Sequence, residues 1–358
     1  MIKYLGSKRA LVGVLGALAD AAGARTAADL FTGTTRVAQE FCRRGVRTVA
    51  VDTASYSLVL GQCYVEADAA AVDAGEVADA LGRLEALPPR RGYVTEVFCE
   101  RSRYFHPDNG ARIDAIRDGI DDLYGGSPLR PILLTSLLEA ADRVDSTVGV
   151  QMAYLKAWAP RASRPLALRP PVLTPGTGEA VQADATAYAA SMAPVDLAYL
   201  DPPYNQHRYF TNYHVWETLV RWDAPEHYGV ACKRLDARDA ETRSAFNGRR
   251  TIHAALAETI ERVPARVVVA SFNDEGHVSV EELAAMAAAR GQDVRVLAYD
   301  SRRYIGSQIG VFSPAGVKVG EAGRRRNVEY LVLAGPGETL DAMVDAAGAD
   351  HLHEPATR

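Results

Sequence analysis

Residues 27–52 read AADLFTGTTRVAQEFCRRGVRTVAVD, and this stretch decides the fold class. A short apolar run, 27–31, ends in a Gly/Thr-rich turn and reads as a buried strand. Residues 37–44 follow at helical spacing, with Gly45 as the stop, and 47–51 form a second strand that ends at Asp52. Strand, turn, helix and strand make one unit of a parallel sheet, whose ligand crevice lies beyond the carboxyl ends of its strands. Upstream, residues 9–22 read as a first helix. Downstream, the pattern resumes with strands at 180–184, 196–200, 266–271, 293–299 and 328–334, and helices near 213–222, 251–262 and 279–290. Only a Gly/Arg-rich stretch separates the last two strands, which predicts a closing antiparallel hairpin.

Between the two sheet portions the alternation stops. Residues 66–87 look helical, Pro88 to Gly92 break them, and two more helices are expected near 111–124 and 128–143, before a Pro/Arg-rich loop at 159–175. The expected division is a catalytic domain from 1–65 and 176–335, an inserted helical lobe at 66–175, and a tail at 336–358 forming a short surface helix and a frayed end.

The 358 residues, 48% hydrophobic and 24% charged, suit a globular chain with a full core. A net charge of −5 excludes coating of nucleic acid by bulk charge, so any such contact must come from local patches. Residues 146–178 carry Lys156, Arg161, Arg164 and Arg169 with no acid. Residues 301–326 carry Arg302, Arg303, Lys318 and Arg324 to Arg326 against Glu321. Each patch alone reads equally as a solvated face. The four cysteines form no CxxC pair and no zinc-ligand spacing with the eight histidines, so no metal is expected and the thiols are read as reduced. With no apolar signal core and no run of about 18 apolar residues, a cytoplasmic protein without a membrane partner is expected.

Three motifs carry chemistry. Asp201-Pro202-Pro203-Tyr204 directly follows the strand DLAYL. An exocyclic amine on a purine is a poor nucleophile, because its lone pair is delocalised into the ring. A carboxylate on Asp201 and the carbonyl of Pro202 can accept its two N–H bonds and localise that pair. Pro202 and Pro203 stiffen the loop that holds both acceptors, and Tyr204 offers a face on which an extruded base stacks. The bland reading is a rigid strand-ending turn with a packed tyrosine. The second motif is Asp29-Leu30-Phe31-Thr32-Gly33-Thr34-Thr35. Gly33 suits a turn where backbone approaches a cofactor, and Asp52, about 20 residues on, can accept ribose hydroxyls. One glycine is poor for a pyrophosphate turn, which favours S-adenosylmethionine over a dinucleotide. The third motif, Lys3 to Lys8, is a glycine-containing turn before the first helix. It can hold a carboxylate paired with Lys8, or be a plain cap at Ser7. Asp184 reads equally as an acceptor for the cofactor's adenine amine and as a helix N-cap. The polar and aromatic run after the tetrapeptide (Asn205, Gln206, His207, Arg208, Tyr209, Asn212, Tyr213, His214) suits a surface that meets phosphates and bases.

These motifs, in this order, resemble the Dam-like class of adenine-specific DNA methyltransferases found in restriction–modification systems. The run DPPYNQHRYFTNYHVWETL is especially similar, and 271–283 and NVEYLVL resemble the later motifs. The resemblance implies an α/β fold: a seven-stranded Rossmann-like S-adenosylmethionine-dependent methyltransferase sheet, its last strand antiparallel, with the inserted lobe carrying target recognition. It implies that Tyr4 and Lys8 line the cofactor pocket, that Phe31 and Gly33 form its turn and that Asp52 holds the ribose; Gly6, Asp29, Asp184 and Asp201 are expected beside them. Asp201, Pro202, Pro203 and Tyr204 would hold a flipped adenine, while Asn205, Arg208, Tyr209, Asn212, Tyr213, Lys156, Arg161 and Arg164 meet double-stranded DNA. A cognate restriction endonuclease is the further partner such a system brings. The family turn reads Phe-x-Gly-x-Gly, and Thr35 stands at the second glycine. That departure keeps a non-catalytic DNA-binding module in view, and a methyltransferase acting on RNA adenine or on a protein amide is the other alternative.

Overall fold

The computed structural model describes residues 2–6, 8–176, 178–204, 208–302, 311–312, 318–320, 326–348 and 351–352, with the backbone alone described at 301–326 and beyond 348. Seven strands, β1 (Thr26–Asp29), β2 (Arg47–Asp52), β3 (Glu179–Gln182), β4 (Val195–Leu200), β5 (Ala265–Asn273), β6 (Asp293–Arg302) and β7 (Arg326–Gly335), form one sheet in the order β3-β2-β1-β4-β5-β7-β6. A two-residue strand, His351–Leu352, adds to the outer edge of β6. The first five strands run parallel. β7 runs antiparallel to both β5 and β6 and lies between them. The expected closing hairpin therefore exists, but its second strand inserts into the sheet and leaves β6 towards the edge.

The sheet is buried on both faces, which is why its strands read as continuous apolar runs. In β5, Val267 and Val269 join one apolar cluster while Val268 and Ala270 join the other. Helices α1 (Val12–Ala21) and α2 (Arg36–Arg43) cover the first face. A C-terminal helix, Gly337–Ala347, joins them by burying Leu340, Met343 and Ala347 beside Leu15 and Leu18. It is thus a core helix rather than the expected surface one, because its apolar residues recur at i, i+3 and i+7.

A third cluster holds the helices between β2 and β3. A segment that the sequence pattern left unassigned, α3 (Ser55–Gly61) continuing as a π-helical turn Gln62–Glu66, packs there with α4 (Ala74–Glu85), α5 (Pro107–Tyr124) and α6 (Arg130–Val144). Gly61 is needed in it, since a Cβ would come within 2.9 Å of the Ala180 methyl on β3. The helix expected from 66 begins only at 74, where Asp73 caps it by accepting from Gly75 and Glu76 amides. After the Pro-Pro break, a π-helical segment, Val94–Glu100, hangs on the buried Asp114. That carboxylate accepts from the amides of Gly92, Val94 and Thr95 at 2.8–2.9 Å and from the Thr95 hydroxyl at 2.6 Å. The cluster also takes in Tyr213, Trp216 and Leu219 around α7 (His214–Arg221), so these helices share a core with the segment that follows β4. All four cysteines are free and buried. Among the described residues no helix is long and apolar enough to cross a membrane.

Candidate active site

Three adjacent parallel strands, β2, β1 and β4, end in or just before a carboxylate: Asp52, Asp29 and Asp201. The chain winds from β1 out to β3 on one side and from β4 out to β5 on the other. The β1/β4 border is therefore the switch point where an open α/β sheet leaves a crevice. Asp29 is buried, and its Oδ2 accepts from the Thr32 hydroxyl at 3.0 Å, while Oδ1 is buried with no hydrogen-bond partner among the described residues. Burial pushes its pKa up to about 7, the Thr32 bond opposing. Asp52 accepts from the Gly33 amide at 2.9 Å and the Ala54 amide at 3.0 Å, which fixes the turn against the end of β2. Burial raises its pKa too. Gly33 is required by both conformation and room: its φ is +51°, and a Cβ would sit 3.0 Å from the Tyr4 ring. Phe31 leaves this turn to pack edge-on against Phe246, at 5.0 Å between centroids.

Thr35 has a φ of 62° and is fully buried, so a β-branched residue occupies the left-handed region. Its hydroxyl donates to the Thr34 carbonyl at 2.7 Å and accepts from the Gln39 amide at 2.8 Å. The turn is kept, and the side chain points into protein partners.

The opening segment lies across these strand ends. Tyr4 stacks on Tyr213 at 4.5 Å, meets Tyr209 at 5.3 Å, and its hydroxyl is 3.2 Å from that of Tyr56. Gly6, at φ +73°, would place a Cβ 2.9 Å from the Tyr209 hydroxyl. Lys3 anchors the segment to the end of α6, its amide on Asp142 at 3.1 Å and its ammonium on Asp145 at 3.0 Å. Lys8 is buried, and its ammonium pairs with Asp201 Oδ1 at 3.1 Å and with Glu329 of β7. Glu329 also accepts from the Ser271 hydroxyl at 3.2 Å. Burial alone would push Asp201 upward further. With Lys8 opposing, its pKa stands at about 6. Although burial disfavours the Lys8 charge, Asp201 and Glu329 hold that pKa well above the usual lysine range.

Pro202 is buried and Pro203 half-buried. The half-buried Tyr204 is held at three points: its hydroxyl accepts from Asn273 at 2.8 Å, its carbonyl accepts from the His277 amide at 2.9 Å, and its ring lies 4.8 Å from Phe272. Lys8 approaches the same ring, at 5.6 Å. Glu329, Ser271, Asn273 and His277 were not singled out from the sequence, although they sit in the later segments that carried the resemblance.

The expected DNA-facing residues divide. Arg208, Lys156 and Arg164 are exposed, and Asn205 lies outside the described residues, as do Gln206 and His207. Tyr213 and Asn212 are corrections: both are buried, because the Tyr4 stack and the core around α7 claim them. Half-buried Tyr209 belongs to the same stack and donates to the Leu5 carbonyl at 3.3 Å. Arg161 is half-buried, and its guanidinium grips Asp145 at 2.7 and 2.9 Å. Asp184 caps the short helix Ala185–Ala189 by accepting from Thr186 and Ala187 amides at 3.0 and 3.1 Å. Arg303, Arg324 and Arg325 lie outside the described residues. Among the described residues no group of three His, Cys, Asp or Glu side chains could hold a metal.

Known proteins are similar to this chain in sequence. The type II methyltransferase M.NlaIII of Neisseria lactamica is 32% identical over 265 residues, covering 71% of this chain and 77% of that protein. The type II methyltransferase M.CviAII of Paramecium bursaria Chlorella virus 1 is 28% identical, covering 74% and 80%. M.FokI of Planomicrobium okeanokoites is 27% identical over 77% of this chain, which spans 45% of its length. The profile of one family matches residues 4–282, from the tyrosine beside Gly33 through the capping box of the helix that follows β5. With that match, the chain belongs to the D12 class N6 adenine-specific DNA methyltransferases.

Proposed function

We propose that this chain is a site-specific DNA methyltransferase that moves a methyl group from S-adenosylmethionine to N6 of an adenine flipped out of duplex DNA, within a restriction–modification system. The observation that carries the reading is Asp201: a half-buried carboxylate at the carboxyl end of β4, beside the β1/β4 switch point and tied to one buried lysine.

The residues present fit the cofactor. Asp29 keeps a buried carboxylate oxygen without a donor at the crevice, a costly state unless a cationic or N–H group arrives, such as the ammonium of the methionine moiety. Asp52 spends one bond on each oxygen and retains lone pairs for ribose hydroxyls. Gly33 and Tyr4 complete the wall. When bound, S-adenosylmethionine supplies the activated methyl as a sulfonium, so neither a metal nor a covalent enzyme intermediate is needed. Asp201 and the Pro202 carbonyl accept the two amine hydrogens and turn the lone pair towards the incoming carbon. Lys8 keeps Asp201 charged against its burial. Tyr204, held by Asn273, His277 and Phe272, presents a preset ring to the extruded base, a stacking contact worth about 1–3 kcal/mol. The proton leaves to Asp201 or to water after the methyl has arrived.

The insertion 66–175 is the proposed target-recognition lobe, built on the helices α4 to α6. The relatives M.NlaIII and M.CviAII are named as type II methyltransferases, and a cognate restriction endonuclease is the proposed partner of this chain. The test is Asp201→Ala: methylation of DNA is expected to vanish while part of the cofactor affinity survives. A variant that methylates at the normal rate contradicts the role given to Asp201.

A further inference from the structure

Three arginines converge on a cleft of about 250 Å³ at the carboxyl end of α6: Arg143, Arg164 and Arg169, over a floor that includes Ala140, Val144 and Pro165. At roughly 30 Å³ per water, that space equals about eight waters, enough for a tetrahedral anion and its first shell. The rim is built rather than loose. Asn109 of α5 donates to the Arg164 carbonyl at 2.9 Å and accepts from the Leu166 amide at 2.9 Å. Ser136 of α6 donates to the Arg169 carbonyl at 2.8 Å and accepts from its amide at 3.1 Å. Arg143 itself donates to the Ala167 carbonyl at 2.8 Å. Arg164 and Arg169 are exposed, and no ion pair to either is seen among the described residues.

The positive charge extends beyond the cleft. Arg36, the first residue of α2, has a buried Nε with no hydrogen-bond partner among the described residues. Burial and then the charge of Arg9 depress its pKa. Burial and then the charge of Arg169 depress that of Arg143. Arg36 and Arg143 both feel the carboxylate of Glu139, which Tyr64 engages and which lies 3.9 Å from Arg143. Arg36 and Arg143 thus share one carboxylate, with Arg9 beside the first and Arg169 beside the second. The row starts at Arg9, the residue after the lysine that holds Asp201, and passes the end of α6 that anchors Lys3.

We infer that Arg9, Arg36, Arg143, Arg164 and Arg169 form a track for the phosphodiester backbone of duplex DNA, with one phosphate seated in the cleft. The guanidinium fork matches phosphate geometry, and a row longer than one anion fits a polymer with regularly spaced charges. This rests on the DNA reading above and adds to it the strip that positions the duplex without reading its sequence.

The test is Arg164→Gln with Arg169→Gln in the full chain, both at exposed positions. Duplex binding is measured from about 50 to about 200 mM salt, on DNA with and without the methylated site, with a thermal melt to check the fold. Each phosphate that the variant no longer neutralises should flatten the slope of log Kobs against log salt by about 0.9, and both duplexes should lose affinity by the same factor. The charge-preserving pair, Arg164→Lys with Arg169→Lys, should restore most of the slope. Wild-type slope and affinity in the glutamine pair would overturn the track while leaving the methyltransferase reading intact. A wild-type chain that binds no duplex at any salt would overturn both.

Discussion

Thr35 is where this chain departs from the glycine pattern of its family's cofactor turn, and it offers a sharp stability test. Left-handed backbone costs a β-branched residue about 1–2 kcal/mol, and Thr35 sits there at φ 62° with no exposure. Two bonds hold it: its hydroxyl to the Thr34 carbonyl at 2.7 Å and the buried Gln39 amide to its oxygen at 2.8 Å. Thr35→Val preserves shape and strain but removes both bonds. Stranding the Gln39 donor costs about 1–3 kcal/mol and the lost carbonyl bond about 1 kcal/mol. The new methyl returns about 0.8 kcal/mol, so a net loss of about 2 kcal/mol is expected. Thr35→Gly loses the same bonds but relieves the strain, offset by about 0.4–1 kcal/mol from the freer unfolded chain. It also lacks the methyl that returns about 0.8 kcal/mol to valine, so the two variants should lie within about 1 kcal/mol of each other, and the glycine variant should bind the cofactor at least as well as wild type. Urea unfolding of the three proteins, with equal m-values, reads these differences. A valine variant as stable as wild type would refute the view that hydrogen bonding holds this residue in a glycine conformation.

Three further outcomes follow from the site and the inserted segment. In its proposed role Asp201 accepts the amine hydrogens as a carboxylate, so kcat/KM should fall as pH drops through about 6. Lys8→Met should move that acid limb to higher pH, and an unmoved limb contradicts the pairing. The folded protein holds this proton more tightly than the unfolded chain, whose aspartates titrate near about 4. Asp201 therefore lowers stability as pH rises from about 4 to about 6, and thermal melts of Asp201→Asn should lose that part of the slope. In the inserted segment, Asp114→Ala strands three backbone amides and the Thr95 hydroxyl. It should cost about 3–5 kcal/mol in chemical unfolding.

Much of the sheet was legible because parallel strands buried on both faces leave short apolar runs between glycines and acids, as at Ala27 to Asp29 and Val195 to Leu200. The carboxylates at the strand ends were legible for the same reason. What escaped was tertiary. Nothing local in NVEYLVL shows that β7 slides between β5 and β6, and so nothing singles out Glu329 as the second partner of Lys8. Ser55 to Glu66 was missed although Tyr56, Val59, Leu60, Cys63 and Tyr64 recur at helical spacing, because no side-chain cap marks where the helix starts. Aromatic density after Tyr204 suggested a DNA surface, but periodicity could not tell a ring facing a base from Tyr213 facing Tyr4. The Asp145 partner of Arg161 appears only in three dimensions, whereas the N-cap of Asp184 was one of the two readings its sequence offered.

The most direct test of the central claim is the identity of the product. The chain is incubated with methyl-labelled S-adenosylmethionine and duplex DNA, and the DNA is digested to nucleosides and separated. Label is expected in N6-methyldeoxyadenosine, and none with Asp201→Ala. Label in a methylated cytosine, or in RNA or protein offered alongside while the DNA stays unlabelled, would contradict the account.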